Sequence, residues 1–205
     1  MGNRIYLMRH AEVAKPEEKI FAGSIDLMLS RNGILQAEEL GRTFSKLNLK
    51  KVYSSNLSRS MNTARIISEI CSCSFEVLDG IQEIHLGQWE GRTFSEIMEK
   101  HPVEFERRGK EMYTYKTPGG ESFKEVRERS CKALFKVVEE VFSSKASGNV
   151  LIVSHGGVNK ALIAELTGKS FEQCFSIKQP YGCVNIVTME ENGLRVLVNV
   201  PLEEL

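Results

Sequence analysis

Ile5-Tyr6-Leu7-Met8-Arg9-His10 runs an apolar stretch straight into a cation and an imidazole. A short apolar run bounded by polar residues reads as a buried β-strand, so Arg4–Met8 is expected to be a strand with Arg9 and His10 at its carboxyl end. Two later segments repeat the pattern. Lys51-Val52-Tyr53-Ser54 leads into Ser55-Asn56-Leu57-Ser58-Arg59-Ser60, and Val150-Leu151-Ile152-Val153 leads into Ser154-His155-Gly156-Gly157. In an open α/β sheet, ligands bind in the crevice outside the carboxyl ends of the strands. The three polar ends are therefore expected to meet in one crevice.

Working outward, Ser30 reads as the N-cap of a helix reaching about Leu47, with Ile34, Ala37, Leu40 and Phe44 on one face. Leu57 to Cys71 reads as a second helix with an apolar stripe of Leu57, Met61, Ala64, Ile67 and Ile70. Phe75–Leu78 follows as a strand. From Gly80 to Gly120 the pattern breaks into short helical pieces (Thr93–Lys100, Val103–Arg108), and an insertion at about 84–121 is expected to cap the crevice. Ser122 and Glu125 form a capping box at the start of a long helix, with Phe123, Val126, Ser130, Leu134, Val137, Val138 and Val141 facing inward. A helix from Gly157 to about Leu166 follows the Val150–Ser154 strand. Val184–Met189 and Leu194–Val198 close the chain as a hairpin turning at Glu191-Asn192-Gly193. Strands alternating with helices predict an α/β fold with helices on both faces of the sheet, as one domain over residues 1–205.

Lys and Arg together number 27, as do Asp and Glu. This balance argues against a nucleic-acid coat or a binder of anionic membrane. No apolar run approaches the roughly eighteen residues of a membrane span, and the N-terminus enters a strand with no signal-peptide core. The expected setting is cytoplasmic. Cys71, Cys73, Cys131, Cys174 and Cys183 are odd in number and lack a framework spacing, which predicts reduced thiols.

The chemistry of the three strand ends points to a phosphate group. Arg9 and Arg59 stay charged and present planar forks to phosphate oxygens, each contact contributing about 1.5–3 kcal/mol. His10 becomes a nucleophile if one ring nitrogen is fixed as N–H by a backbone carbonyl and the other is free. The two arginines favour its unprotonated form. His155 stands where strand turns to helix, Gly156 and Gly157 allow close backbone approach, and the helix N-terminus favours an anion. Protonated His155 is expected to bind a phosphoryl oxygen. A leaving alkoxide needs a proton, and spacing alone leaves Glu83, Glu90 and Glu12 as equal candidates.

These residues resemble the histidine phosphatase superfamily, with its phosphoglycerate mutase-like fold. The similarity rests on Leu7-Met8-Arg9-His10-Ala11-Glu12, Ser55 to Ser60 with Thr63-Ala64, Glu83 to Gly91, Gly119-Gly120-Glu121-Ser122 and Val153 to Gly157, and so spans nearly the whole chain. The resemblance implies a three-layer α/β/α sandwich with a mostly parallel sheet. It implies His10 as nucleophile, Arg9, Arg59 and His155 as the phosphate pocket, and Glu83 as general acid and then base, with no metal or organic cofactor. Phe21-Ala22-Gly23 matches the family's substrate loop, implying substrate contacts at Ala22 and Gly23. Two departures stand out. Ala11 replaces a usual Gly, which is tolerable if its backbone angle is ordinary, and the loop Val13-Ala14-Lys15-Pro16-Glu17-Glu18 lacks a phosphate-touching Asn found in many members.

The compact cap favours a phosphatase of small phosphate monoesters over a mutase. The segment Lys178 to Asn185 is similar to that of α-ribazole phosphatases, which remove the 5′-phosphate of α-ribazole phosphate in cobalamin assembly. That resemblance gives Trp89, Tyr113 and Tyr115 as candidates to stack on a benzimidazole. The alternatives are a broad-specificity or sugar-phosphate enzyme, a mutase, a non-catalytic phosphate-binding protein, and a metallohydrolase using His10, Glu83, His85 and His155. The last lacks recognisable ligand spacing. An edge strand near the C-terminus leaves room for a homodimer.

Overall fold

In the computed structural model, β1 (Ile5–Arg9) and β4 (Asn149–Ser154) lie side by side and parallel, pairing Ile5 with Val150 and Arg9 with Ser154. The structure describes residues 2–14, 16–143 and 148–205. Ile5, Leu7, Met8, Leu151, Ile152 and Val153 are fully buried. An unbroken apolar run buried on both faces is what a central parallel strand requires. β2 (Leu49–Ser54) joins β4 in parallel, and β3 (Ser74–Val77) joins β2 in parallel. On the other side β5 (Val184–Glu190) runs antiparallel to β1, and β6 (Gly193–Val200) forms a hairpin with it. The sheet order is β3-β2-β4-β1-β5-β6, a mostly parallel arrangement edged by the hairpin.

Helices cover both faces. α1 (Arg31–Phe44) and α2 (Ser58–Cys71) pack over one face, where Leu40, Phe44, Ala64 and Ile67 meet Tyr6, Met8, Val52 and Leu151. α5 (Phe123–Ser143) and α6 (Gly156–Thr167) cover the other, where Val126, Leu134, Val158 and Leu162 meet Ile5, Leu7 and Ile152. The α/β/α sandwich is thus as expected. Between β3 and α5 come a 3-10 turn (Gly87–Trp89), α3 (Phe94–Lys100) and α4 (Pro102–Lys110).

Local sequence explains the helix starts. Ser30 Oγ accepts from Gly33 N, and the capping boxes Thr93/Glu96 and Ser122/Glu125 both close. α7 (Phe171–Phe175) follows a further box, Ser170/Gln173; it is a helix the sequence pattern did not suggest.

The helix stripes need correction. Ile34 and Ile70 are exposed, and Met61 is only half-buried. α1 instead turns Gly33, Ala37, Leu40, Gly41 and Phe44 inward, and α2 turns Arg59, Ser60, Thr63, Ala64, Ile67 and Ser68 inward. Gly33 is needed because a Cβ there would lie 1.9 Å from Glu12 O. Close packing of the Glu12 backbone on α1, and of polar α2 residues on the crevice, displaces the apolar stripe. All five cysteines are free thiols. No helix among the described residues is long and apolar enough to cross a membrane.

Candidate active site

The parallel register sets Arg9, Ser154 and Ser54 at one end of the sheet, and the three polar segments do converge there. His10 is 4 % exposed and donates Nδ1–H to the carbonyl of Ala11 at 2.8 Å. That bond selects the tautomer whose lone pair is on Nε2, for which no partner is found among the described residues. Burial first, then the Arg59 charge and to a lesser extent that of Arg9, push the His10 pKa down to about 3, and only the Ala11 bond acts to raise it. His10 is a neutral imidazole at neutral pH. Its ring stands 5.3 Å from that of His155, centroid to centroid.

His155 is fully buried at the N-cap of α6, with Nε2 2.7 Å from Ser55 Oγ. Burial, then His10, Arg59 and Arg9, hold its pKa well below the usual histidine range. These causes favour a neutral ring, and the negative charge of a bound phosphoryl group acts the opposite way, toward the protonated His155 expected at the phosphate. Ser55 Oγ can donate to Nε2, and in that tautomer the proton sits on Nδ1, a buried atom with no partner among the described residues. Arg9 Nε is likewise buried without a partner. Such orphans are uncommon in native proteins; here two nitrogens beside His10 suit an anion's oxygens.

Arg59 is 2 % exposed and carries a second task that the sequence did not disclose. Its Nη1 donates to Ile25 O at 2.5 Å and its Nη2 to Gly23 O at 2.8 Å. The loop bearing Ala22 and Gly23 is thereby tied to the pocket cation. Asp26 completes the tie, accepting from Ser58 N at 2.7 Å at the start of α2. Gly23 has φ +45°, and a Cβ there would meet Glu90 Oε1 at 2.5 Å, so this position favours glycine on both counts.

The three carboxylate candidates separate. Glu83 Oε2 accepts from Gly157 N at 3.0 Å and Oε1 from Ile84 N at 3.0 Å, placing the carboxyl at the start of α6 beside His155. A Cβ on Gly157 would lie 2.5 Å from Glu83 Oε1. Glu90 instead binds Ser24 N, Ser24 Oγ and Leu86 N. Burial raises its pKa, but those bonds outweigh burial and hold it below the usual carboxylate range, a structural anion rather than an acid. Glu12 accepts from Ser30 Oγ at the cap of α1.

Ala11 is fully buried with an ordinary φ, and its N–H donates to Thr63 Oγ1 at 3.1 Å, so the methyl group is accommodated. In the loop after it, Val13 pairs with Leu29, while Lys15 lies outside the described residues. Gly156 lies against Arg9, whose Nε would be 3.6 Å from an added Cβ. Trp89 is buried, 5.2 Å from Phe21 and 6.0 Å from Tyr115 between centroids, and Tyr113 packs on Phe171 at 5.4 Å. These rings mainly build the aromatic core under α3, α4 and α7 because Phe21, Phe94 and Phe105 gather there too. A cavity of about 600 Å³ bounded by Trp89, Arg92, Lys100 and His101 contains, of the residues singled out from sequence, only the stacking candidate Trp89 and none of the residues expected to bind or transfer the phosphoryl group. Among the described residues no three His, Cys, Asp or Glu side chains converge to hold a metal ion; His85 is exposed, 3.9 Å from Glu90.

Two residues that sequence reading did not single out as site residues also contact this cluster. Tyr181 stacks under Arg9, 4.0 Å from guanidinium carbon to ring centroid, and Ser55 orients His155. A Ser at a strand end was visible, but nothing local ties Tyr181 to Arg9.

Comparison with known proteins agrees with this geometry. The chain is 32 % identical over 192 residues to phosphoserine phosphatase 1 of Hydrogenobacter thermophilus, covering 92 % of this chain and 87 % of that protein. It is 25 % identical to the adenosylcobalamin/alpha-ribazole phosphatase of Escherichia coli, covering 95 % of each. The solved structure of Bacillus stearothermophilus YhfR superposes with a TM-score of 0.86 at 29 % identity, covering 98 % of this chain and 99 % of that one. The histidine phosphatase superfamily (branch 1) profile matches residues 5–200. The chain belongs to the histidine phosphatase superfamily and is a phosphatase.

Proposed function

We propose that this phosphatase hydrolyses small phosphate monoesters through a phosphohistidine on His10. The observation that carries the reading is the His10 ring, held by Ala11 O so that Nε2 is a free lone pair, beside Arg9, Arg59 and His155. In the first step Nε2 attacks phosphorus and the ester P–O bond breaks. Glu83, protonated on one oxygen, gives that proton to the departing alkoxide. In the second step the Glu83 carboxylate takes a proton from water, whose oxygen attacks phosphorus, and the P–N bond breaks to release phosphate. Arg9, Arg59 and His155 Nδ1–H meet the charge on the phosphoryl oxygens. Residues 84–121 act as the cap, locked to the substrate loop by the bridge between Ile20 and Thr93. Ala22, Gly23 and Gly156 supply the close backbone at the substrate. No cofactor enters this chemistry.

For the substrate, α-ribazole 5′-phosphate is supported by the likeness of Lys178–Asn185 and by the Escherichia coli relative. A phosphoserine-like monoester is favoured by a separate observation: Trp89, the largest candidate stacking face, is 2 % exposed, and the Hydrogenobacter thermophilus relative carries that activity in its name. Comparing kcat/KM for α-ribazole 5′-phosphate, phosphoserine, 3-phosphoglycerate and common sugar phosphates, with excess chelator present, decides between them. Preference for α-ribazole phosphate by several orders of magnitude establishes the first reading, and preference for phosphoserine the second. Flat, low rates indicate a broad-specificity enzyme. No turnover of any ester would contradict the mechanism.

A further inference from the structure

We propose that Tyr181, backed by Gln179, is a positioning residue that fixes the Arg9 guanidinium beside His10. The proposal rests on the phosphohistidine reading and adds to it residues of the Lys178–Asn185 segment, far in sequence from Arg9 and His10. Arg9 Nη1 donates to the carbonyl of Gln179 at 2.6 Å, and the Arg9 guanidinium carbon lies 4.0 Å from the centroid of the Tyr181 ring. The same ring is 5.5 Å from that of His10. An arginine side chain has high rotamer entropy. A carbonyl occupying one N–H and an aromatic face holding the plane remove most of that freedom before substrate arrives, which is preorganisation of the pocket.

The backing is built to stay in place. Gly182 N donates to the carbonyls of Arg9 and His10, each at 3.2 Å, and Arg9 N donates to Cys183 O. The Gln179 side chain is buried. Its Oε1 accepts from Asn159 Nδ2 at 3.1 Å and Asn185 Nδ2 at 3.0 Å, and its Nε2 donates to Asn185 Oδ1 and Asn199 Oδ1. Asn185 Nδ2 also donates to Leu7 O, and Ser154 Oγ donates to Asn159 Oδ1. One amide network thus joins β1, the end of β4, α6, β5 and β6 to the loop that carries Tyr181. Gln36 holds the loop's other flank through Tyr181 O at 2.9 Å.

The test uses the whole chain with p-nitrophenyl phosphate as substrate and inorganic phosphate as product inhibitor. Tyr181→Ala is expected to raise KM and the phosphate inhibition constant about tenfold, the scale of a desolvated cation–aromatic contact, with a smaller change in kcat. Tyr181→Phe, which keeps the ring, is expected to recover most of the loss. In an Arg9→Ala background, Tyr181→Ala should add no further loss, as expected of two residues acting as one unit. Should Tyr181→Ala fail to fold, Tyr181→Leu keeps bulk without the aromatic face. An unchanged inhibition constant in a folded variant, losses as large in Tyr181→Phe, or multiplying losses in the double variant would each overturn the proposal. Phospho-enzyme on His10 in the unaltered protein, measured alongside, separates these failures from failure of the mechanism itself.

Discussion

At the scale of single residues, the account assigns His10 and Glu83 roles that no neighbour can take over. His10→Ala is expected to abolish turnover and phospho-enzyme while leaving the circular dichroism spectrum unchanged. Glu83→Gln keeps the size of the side chain and removes the acid. It should lower kcat by on the order of 10²–10⁴ for esters with poor leaving groups. The loss should be much smaller for p-nitrophenyl phosphate, whose phenolate needs little protonation. Equal losses on both substrates would remove Glu83 from the acid role. Arg9, His10 and His155 could be read from sequence because each lies at or just past the end of an apolar strand, whereas Arg59 lies a few residues beyond one and Glu83 was selected over Glu90 and Glu12 only by the family resemblance. Tyr181 and Gln179 could not, since Arg9 and Gln179 meet only after β5 folds back beside β1. The neutral state of His155 was also hidden, because it follows from complete burial among other cations.

At the scale of elements, α5 supports the acid from behind. Arg129 on α5 donates through Nη1 to Gly80 O at 2.7 Å and through Nη2 to Glu83 O at 3.3 Å, and its other bonds clamp Glu121. Glu121 in turn accepts from His85 N at 2.9 Å. The segment carrying Glu83 is therefore held at both flanks. Arg129→Met should lower kcat by on the order of 10–100-fold, the effect of a small misplacement of a reacting group, with little change in phosphate inhibition. Steady-state kinetics check this, and an unchanged kcat would show that the clamp does not position Glu83. The element pattern shows where sequence reading works. The strands were legible within a residue or two: β1 and β4 are buried apolar runs that admit few alternatives, while the more exposed β3 and β6 are short apolar-rich stretches bounded by polar or turn residues. The inward faces of α1 and α2 were misread because they are lined by Gly33, Gly41, Ser60 and Thr63, which a search for apolar periodicity passes over. α7 spans five residues, too short to display a helical period.

At the scale of the whole molecule, gathering cations and two neutral histidines in one buried crevice links stability to pH. His10 has a folded pKa of about 3 against an ordinary 6.5, and that of His155 is likewise lowered. Between these values the unfolded chain binds protons that the folded chain does not, so stability rises with pH. It should be fully present above about pH 7 and fall as the pH drops toward 5, by about 2 kcal/mol from His10, with His155 acting in the same direction. Denaturant melts at pH 7, 6 and 5 in phosphate-free buffer measure the slope, and His10→Ala should reduce it. A slope unaffected by His10→Ala would contradict the neutral, buried state of that ring. The fold as a whole was legible because strand–helix alternation and three polar strand ends constrain one another. The substrate was not, because the proposed cap over residues 84–121 and the proposed substrate loop at Ala22-Gly23 are placed by tertiary contacts that no local pattern displays. The central claim, a covalent phosphohistidine, is tested most directly by rapid quench into alkali after mixing with a ³²P-labelled monoester. The account predicts acid-labile, alkali-stable label on the peptide containing His10, formed and lost at rates consistent with turnover and absent from His10→Ala. Turnover without label, or label that survives in His10→Ala, would contradict it.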